Sequence, residues 1–329
     1  MSVIVLMLAV QPQFPTTGDG LYRVACASCH GEDGKGVDPS QVGFDIPLPD
    51  FTDCSFATRE PDVDWMAVTH DGGPARGFSS VMPAYQEAFN QEQIQLILDH
   101  MRGFCPDDSW PRGELNPPLA LETEKAYLED EVVWTTSVES ELFVTQFLYE
   151  RRFGARNQWE GGLTFDSDGL SVVSFGVKRA LYHSLERGSI VSVLGEVVFP
   201  AREDRIHDVV FEPSILLAQL LPSDSFVQFQ GGVEVPEDAV FWRAAFGKTF
   251  VSGEFGRTFT PMIEVVGTYE EERTEWTLLP QMQVSLNTRQ HILANVGYRV
   301  AVNDRELRTD AVVFYVLWEW FDGGLLDGW

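Results

Sequence analysis

Trp276-Thr277-Leu278-Leu279-Pro280-Gln281-Met282-Gln283-Val284-Ser285-Leu286-Asn287 alternates in polarity. Trp276, Leu278, Pro280, Met282, Val284 and Leu286 share one face, and Thr277, Gln281, Gln283, Ser285 and Asn287 share the other. Successive side chains of a strand point to opposite sides, so this period of two predicts a β-strand that is apolar on one side only. A segment of about ten residues is long enough to cross a bilayer as a tilted strand.

The pattern spreads outward in both directions. Ile292, Ala294, Val296, Tyr298, Val300 and Val302 oppose His291, Asn295, Gly297 and Arg299. Phe259, Pro261, Ile263, Val265 and Tyr269 oppose Thr258, Thr260, Glu264, Thr268 and Glu270, while Val227, Phe229, Val233 and Val235 alternate with Gln228, Gln230 and Glu234. Short acidic or glycine-bearing turns such as Asn303-Asp304 and Glu271-Glu272 separate the segments, giving about ten to twelve strands from residue 131 or 141 through Phe321.

Glutamate, glutamine, arginine and threonine on the second face are wrong for a dry core and suit a polar lumen, with isolated Glu264 and Arg299 lining it. Trp159, Trp242, Trp276, Tyr298, Trp318 and Trp320 lie where interfacial aromatic girdles would, and the chain finishes on Trp329. The competing reading is a soluble β-sandwich or closed barrel whose apolar face is its core. Prolines at Pro213, Pro261 and Pro280 fit either, since each removes a ladder donor in both. Phe211-Glu212-Pro213, Leu279-Pro280-Gln281 and the closing Leu317-Trp318-Glu319-Trp320-Phe321-Asp322-Gly323-Gly324 are similar to the outer-membrane barrel family associated by name with the phenol-degradation meta-pathway. The resemblance implies an all-β antiparallel barrel over residues 131–329 and assigns no residue to a substrate.

Upstream, Pro106, Pro111, Pro117 and Pro118 lie among polar residues with little periodicity, so residues 107–130 read as a linker. Before it the character changes to helical spacing. Asn90 and Gln93 read as a helix start, and Ile94, Ile97, Leu98, Met101 and Phe104 follow on one face. A shorter helix runs from about Asp19 with Leu21 and Tyr22 placed to pack on it.

That shorter helix leads into Cys26-Ala27-Ser28-Cys29-His30, the attachment pattern of a c-type haem. Two thiols at this spacing add to the vinyl groups of one porphyrin and the adjacent imidazole reaches the iron. A zinc site would need a second ligand pair, and Cys54 and Cys105 stand alone; an unligated redox pair is the third reading. Met82, in Ser80-Val81-Met82-Pro83-Ala84-Tyr85, is the best placed second axial ligand, with a loop of Gly72, Gly73, Gly77 and Ser79 before it and Pro83 stiffening the chain after it. Met66 and Met101 sit among helix-patterned apolar residues and read as core.

In order, these pieces resemble a mono-haem class I cytochrome c over residues 15–106: Gly18 to Tyr22, C-x-x-C-H-G, Gly34 and Gly36, a Met-Pro and a closing helix. The resemblance implies an all-α domain, one covalent haem c on Cys26 and Cys29, His30 as proximal ligand and Met82 as distal ligand, with His70 and His100 as alternatives. Cys54 and Cys105 are left over by this scheme, and in an oxidising compartment the expectation is a disulfide, against two buried reduced cysteines.

The formal charge of −27 excludes a nucleic-acid binder on electrostatics. Between residues 11 and 115, 17 acids oppose 6 bases, a surface that would steer a basic redox partner protein. Residues 1–14, with the apolar run Val3 to Val10, read as a residual export signal, and no later segment forms a long apolar helix. The whole is read as a multidomain chain, a cytochrome c followed by an outer-membrane barrel in outer-membrane lipid. An even strand count would put both barrel ends, and hence the haem domain, on the periplasmic side. A barrel of ten to twelve strands is too narrow to hold a folded cytochrome, so the haem domain should dock at its mouth. The expected role is one-electron transfer with periplasmic partners, possible also across the membrane, rather than catalysis. The alternatives are a solute channel with the haem as sensor or gate, and a haem enzyme with an open distal site.

Overall fold

The computed structural model describes residues 15–139, 142–202, 209–236, 238–270, 272–303 and 310–319. The expected export signal, the closing Trp320 to Gly324 motif and Trp329 lie outside them, as do Asp304 and Glu271 of the two expected turns.

The amino-terminal part is helical, with α1 (Gly18–Ala25), α2 (Ala27–His30), α3 (Pro39–Val42), α4 (Cys54–Ala57), α5 (Asp62–Asp71) and α6 (Gln91–Arg102). Thr17 caps α1 by accepting from the Gly20 amide, and Asn90 with Gln93 forms the reciprocal capping box that starts α6. The apolar stripe of α6, Ile94, Ile97 and Leu98, is wholly buried against Leu21 and Tyr22 of α1. Each such side chain contributes about 1.5–3 kcal/mol by leaving water. The helices cross so closely that a Cβ at Gly18 would sit 2.1 Å from the Leu96 carbonyl oxygen. Met101 is buried in this core and Met66 packs on its edge. Cys54 and Cys105 form a disulfide that ties the start of α4 to the chain just beyond α6.

The rest is a closed antiparallel barrel. Its strands are β1 (Glu131–Val138), β2 (Phe143–Phe153), β3 (Asn157–Asp166), β4 (Gly169–Ser184), β5 (Ser189–Pro200), β6 (Val210–Leu221), β7 (Ser225–Glu234) and β8 (Ala239–Lys248). There follow the two-residue β9 (Phe250–Val251), β10 (Thr258–Glu270), β11 (Arg273–Ser285), β12 (Ile292–Ala301) and β13 (Ala311–Glu319). Each long strand pairs with its neighbours in sequence, β9 merely extends the partner edge of β10, and β13 returns to pair with β1 from Glu131 opposite Glu319 to Val138 opposite Val312. Twelve strands thus form the ring, at the upper end of the expected number.

Alternation falls as the sequence indicates. Val296 is 52% exposed on the outside and Asn295 beside it 2% exposed on the inside. Phe147, Phe175, Ile215, Phe229, Phe246, Ile263 and Met282 also face outward, and Gln228, Gln230, Thr260, Glu264, Gln281 and Gln283 are buried within. On the outer surface Trp134 stacks on Phe147 and Trp242 packs edge-on against Trp276 across strands. An exterior this apolar costs free energy in water and is stable against lipid chains.

The connecting stretch differs from a solvated linker. From Pro111 to Asp130 it runs through the barrel lumen, with Leu115, Ala126, Tyr127, Leu128 and Glu129 all but fully buried. A chain without regular structure must find other partners for its amides and carbonyls, and the inward polar side chains supply them. Gln281 accepts from the Leu121 amide at 3.1 Å and Gln158 from the Glu129 amide at 2.6 Å, while the plug's own Asp130 accepts from the Arg152 amide of β2 at 2.9 Å. Tyr315 donates to the Leu119 carbonyl at 2.6 Å and Gln228 to the Pro118 carbonyl at 2.7 Å. Leu279, the apolar residue out of step in the opening stretch, turns inward to pack with Leu119 and Leu121. The lumen is therefore plugged and of mixed character, apolar where Ile190, Leu194 and Leu216 pack on Leu115, Tyr127 and Leu128, with a residual cavity of about 380 Å³ between plug and wall.

Three cations inside are paired with carboxylates, and Glu264 is held by neutral donors, Gln281 at 2.8 Å and the Glu122 amide at 3.2 Å. Lys178 of β4 lies 2.8 Å from Glu124 of the plug and 3.3 Å from Glu150 of β2. Lys125 of the plug contacts Glu129, Glu131 at 3.3 Å and Glu319 at 3.8 Å. Arg299 bridges Glu122 at 3.0 Å and Glu139 at 2.5 Å.

Candidate haem centre and its dock on the barrel

Cys26 stands between α1 and α2, and the single turn of α2 brings Cys26, Cys29 and His30 to one side through the i, i+3, i+4 spacing. Cys26 is buried, Cys29 half-buried, and neither is in a disulfide. Gly31, at φ 74°, reverses the chain so that Gly36 donates to the His30 carbonyl at 2.8 Å and Val37 to the Cys29 carbonyl at 2.9 Å. The His30 ring lies 5.1 Å from Phe51, which lies 5.3 Å from Trp65.

The electrostatics fit a haem better than a redox dithiol. Burial, then the neighbouring Cys29, pushes the Cys26 thiol up to about 12, whereas an exchanging dithiol needs a lowered value. Burial holds His30 down to about 4, so the imidazole is neutral and keeps the lone pair that an iron takes. Its Nδ1 is buried without a hydrogen-bond partner. Two unbridged thiols and a neutral imidazole on one helical turn are the donor set that covalent haem attachment requires.

Met82 is half-buried in the loop between the 3-10 turn Gly73–Arg76 and α6. Its carbonyl accepts from the Gly73 amide at 3.0 Å, and Phe78 donates to the Gly73 carbonyl at 2.9 Å. Gly73 has to be glycine, since a Cβ there would lie 2.1 Å from the Ser79 carbonyl oxygen. Two tyrosines bracket the motif. Tyr22 donates to the carbonyl of Gly31, just after His30, at 2.7 Å, and Tyr85 to that of Ala25, just before Cys26, at 2.6 Å. Burial, then charge on Cys26 and Cys29, raises the Tyr85 phenol. The loop carrying Met82 is thereby laid against the motif.

The other two histidines are engaged elsewhere. His70 pairs with Asp71 at 2.6 Å and sets its ring 5.4 Å from Phe255 of the barrel. His100 packs between Tyr22 and Phe104 where α1 crosses α6.

The helical unit sits on the barrel end where β1 begins and β13 stops. Arg76 donates to the Phe255 carbonyl at 2.7 Å while holding Asp64 at 2.5 Å, and His291 lies 3.1 Å from Glu60. Arg289 covers the Phe78 ring at 4.5 Å, and Arg59 reaches Asp130 of the plug at 2.8 Å. A cavity of about 250 Å³ remains in this interface, lined by Glu60, Asp64, Arg76, His291 and Glu319 among others. Docking at the mouth was expected from barrel width; the residues that make it carry no local signature, being single side chains in loops.

Fold and motif together define a cytochrome c domain carried on a twelve-stranded β-barrel. Residues 13–101 match the family described as cytochrome c oxidase, cbb3-type, subunit III, which implies haem. Among curated proteins none matches the sequence. Among solved structures the chain is similar to the KdgM porin, at 8% identity and a TM-score of 0.44 over 58% of this chain and 99% of that one. It is similar to the NanC porin at 9% identity and a TM-score of 0.44 over 58% of this chain and 98% of that one. The outer membrane protein Omp33 of Acinetobacter baumannii follows at 10% identity and a TM-score of 0.33 over 60% of this chain and 100% of that one.

Proposed function

We propose that the chain is an electron carrier fixed at the outer membrane. Residues 15–106 are the haem unit, and residues 131–329 the anchor, joined by a stretch that plugs the anchor. Cys26 and Cys29 would hold one covalent haem c, and His30 and Met82 would be the residues that ligate its iron. When bound, the haem supplies reversible one-electron exchange at its iron, at a potential raised by a thioether ligand. The chain's own residues keep the imidazole neutral, exclude water from it through Phe51, and fix the motif through Tyr22 and Tyr85.

One observation carries this reading: the free Cys26 and Cys29 and the neutral His30 share one turn in a unit clamped to a barrel with an apolar exterior. A plugged lumen favours an anchor over an open solute channel. In a twelve-stranded barrel both termini leave by the same end, which is the docked end, and periplasmic termini put the haem unit in the periplasm. There its acidic surface suits a basic redox protein.

Cell fractionation with a stain for covalent haem tests the proposal. The expected result is haem that stays with this polypeptide under denaturing conditions in the outer-membrane fraction, and is lost from the Cys26→Ala, Cys29→Ala variant. Haem staining confined to the soluble periplasm would reject the anchor, and haem released by denaturation would reject the attachment.

A further inference from the structure

Two loops of the barrel grip the segment on which Met82 is folded. Phe255, between β9 and β10, takes a hydrogen bond from Arg76 on its carbonyl and lays its ring against His70. Arg289, between β11 and β12, spreads its guanidinium over Phe78, and its stem is 3.3 Å from where a Cβ of Gly77 would lie. Gln290 donates to the Gly256 carbonyl at 2.8 Å, so these two loops are tied to each other.

The gripped segment is continuous with the ligand loop. Phe78 bonds back to Gly73, Gly73 bonds to the Met82 carbonyl, and the Tyr85 amide bonds to the His70 carbonyl at 3.1 Å. Residues 70 to 85 thus fold as one lobe, held on one side by Tyr85 against the haem motif and on the other by Phe255 and Arg289 of the barrel.

From this juxtaposition we infer that the barrel mouth is a positioning element for the haem: Arg289 and Phe255 fix the lobe that carries Met82 and so set how that residue is offered to the iron. The inference rests on the reading of Met82 as that ligand. A thioether on iron raises the potential and blocks small ligands, so loosening the lobe lowers the potential and opens the distal side. Anchor and redox centre are then one device.

The test uses the full-length protein in detergent, comparing wild type with R289A, F255A, the double variant, R289K and M82A. Covalent haem content and resistance of the barrel to unfolding are checked in each. The expected result for the double variant is a weakened methionine-to-iron absorption band, a lower potential and a several-fold faster binding of carbon monoxide to the reduced protein. R289K, which keeps a cation over Phe78, restores part of each. A double variant identical to wild type in band, potential and carbon monoxide binding, while M82A loses the band, overturns the positioning role and leaves the ligand assignment standing. A band that persists in M82A overturns the ligand assignment and the inference with it. If R289A does not fold, R289M and F255L carry the same readouts, and wild-type values in both are the overturning result.

Discussion

The Tyr85 hydroxyl donates to the carbonyl of Ala25 at 2.6 Å and so fastens the loop that carries Met82 to the residue just ahead of Cys26. Removing that hydroxyl leaves a partly buried carbonyl without its donor. Tyr85→Phe should cost the haem unit about 1–3 kcal/mol in chemical denaturation followed in the haem absorption. Full stability in the variant would show that the bond is not formed.

The Cys54–Cys105 disulfide spans a sequence separation of 51. In the chain-entropy account a loop of that size stabilises by about 4 kcal/mol. Cys54→Ser with Cys105→Ser should lower the unfolding midpoint of the haem unit, and adding reductant to wild type should lower it as far. A midpoint indifferent to both treatments would mean that the link is dispensable.

Lys178 is wholly buried among Glu124 and Glu150, so its removal strands carboxylates in the plug and wall. Lys178→Met should destabilise the barrel by about 3–5 kcal/mol in thermal unfolding in detergent. Adding Glu150→Gln should recover part of the loss, because one stranded charge goes with it. Equal stability of single variant and wild type would contradict the pairing.

His30 titrates at about 4 in the fold against an ordinary 6.5. Between those values the unfolded chain binds a proton that the folded chain refuses, so stability of the haem-free fold falls as pH drops from 6.5 towards 4 and is flat above. A haem-free fold whose stability in denaturant titrations does not fall between pH 6.5 and 4 would contradict this.

With the plug bonded to the wall through Gln158, Gln228, Gln281 and Tyr315, the lumen should conduct poorly. Single-channel recording of the full-length protein in planar bilayers should stay near baseline, and steady open-channel steps would revive the channel reading.

What could be read in advance was what is local. The Cys26 to His30 run states its chemistry in five residues, and alternation from Trp276 to Asn287 states which side meets water, because burial in a strand depends only on parity. The Cys54–Cys105 link followed from a count of unused cysteines. The plug could not be read, since Leu121 bonds to Gln281 across 160 residues and each proline in between says only that no helix forms. Leu279 was one trace of it, an apolar residue on the polar face, and Ile190, Leu194 and Leu216, which pack on Leu115, Tyr127 and Leu128, were others. The grip of Arg289 on Phe78 left no trace at all, for an arginine in a turn is ordinarily solvated.

Lys125 of the plug touches both edges of the seam, Glu131 at the start of the first strand and Glu319 at the end of the last. Those strands pair with each other, so this lysine is a latch that ties the plug to both sides of the seam. Ribosomal order places the haem unit first, the latch next and the closing edge last. A chain truncated before Ala311 would lack the strand that closes the ring and the second carboxylate that the latch reaches.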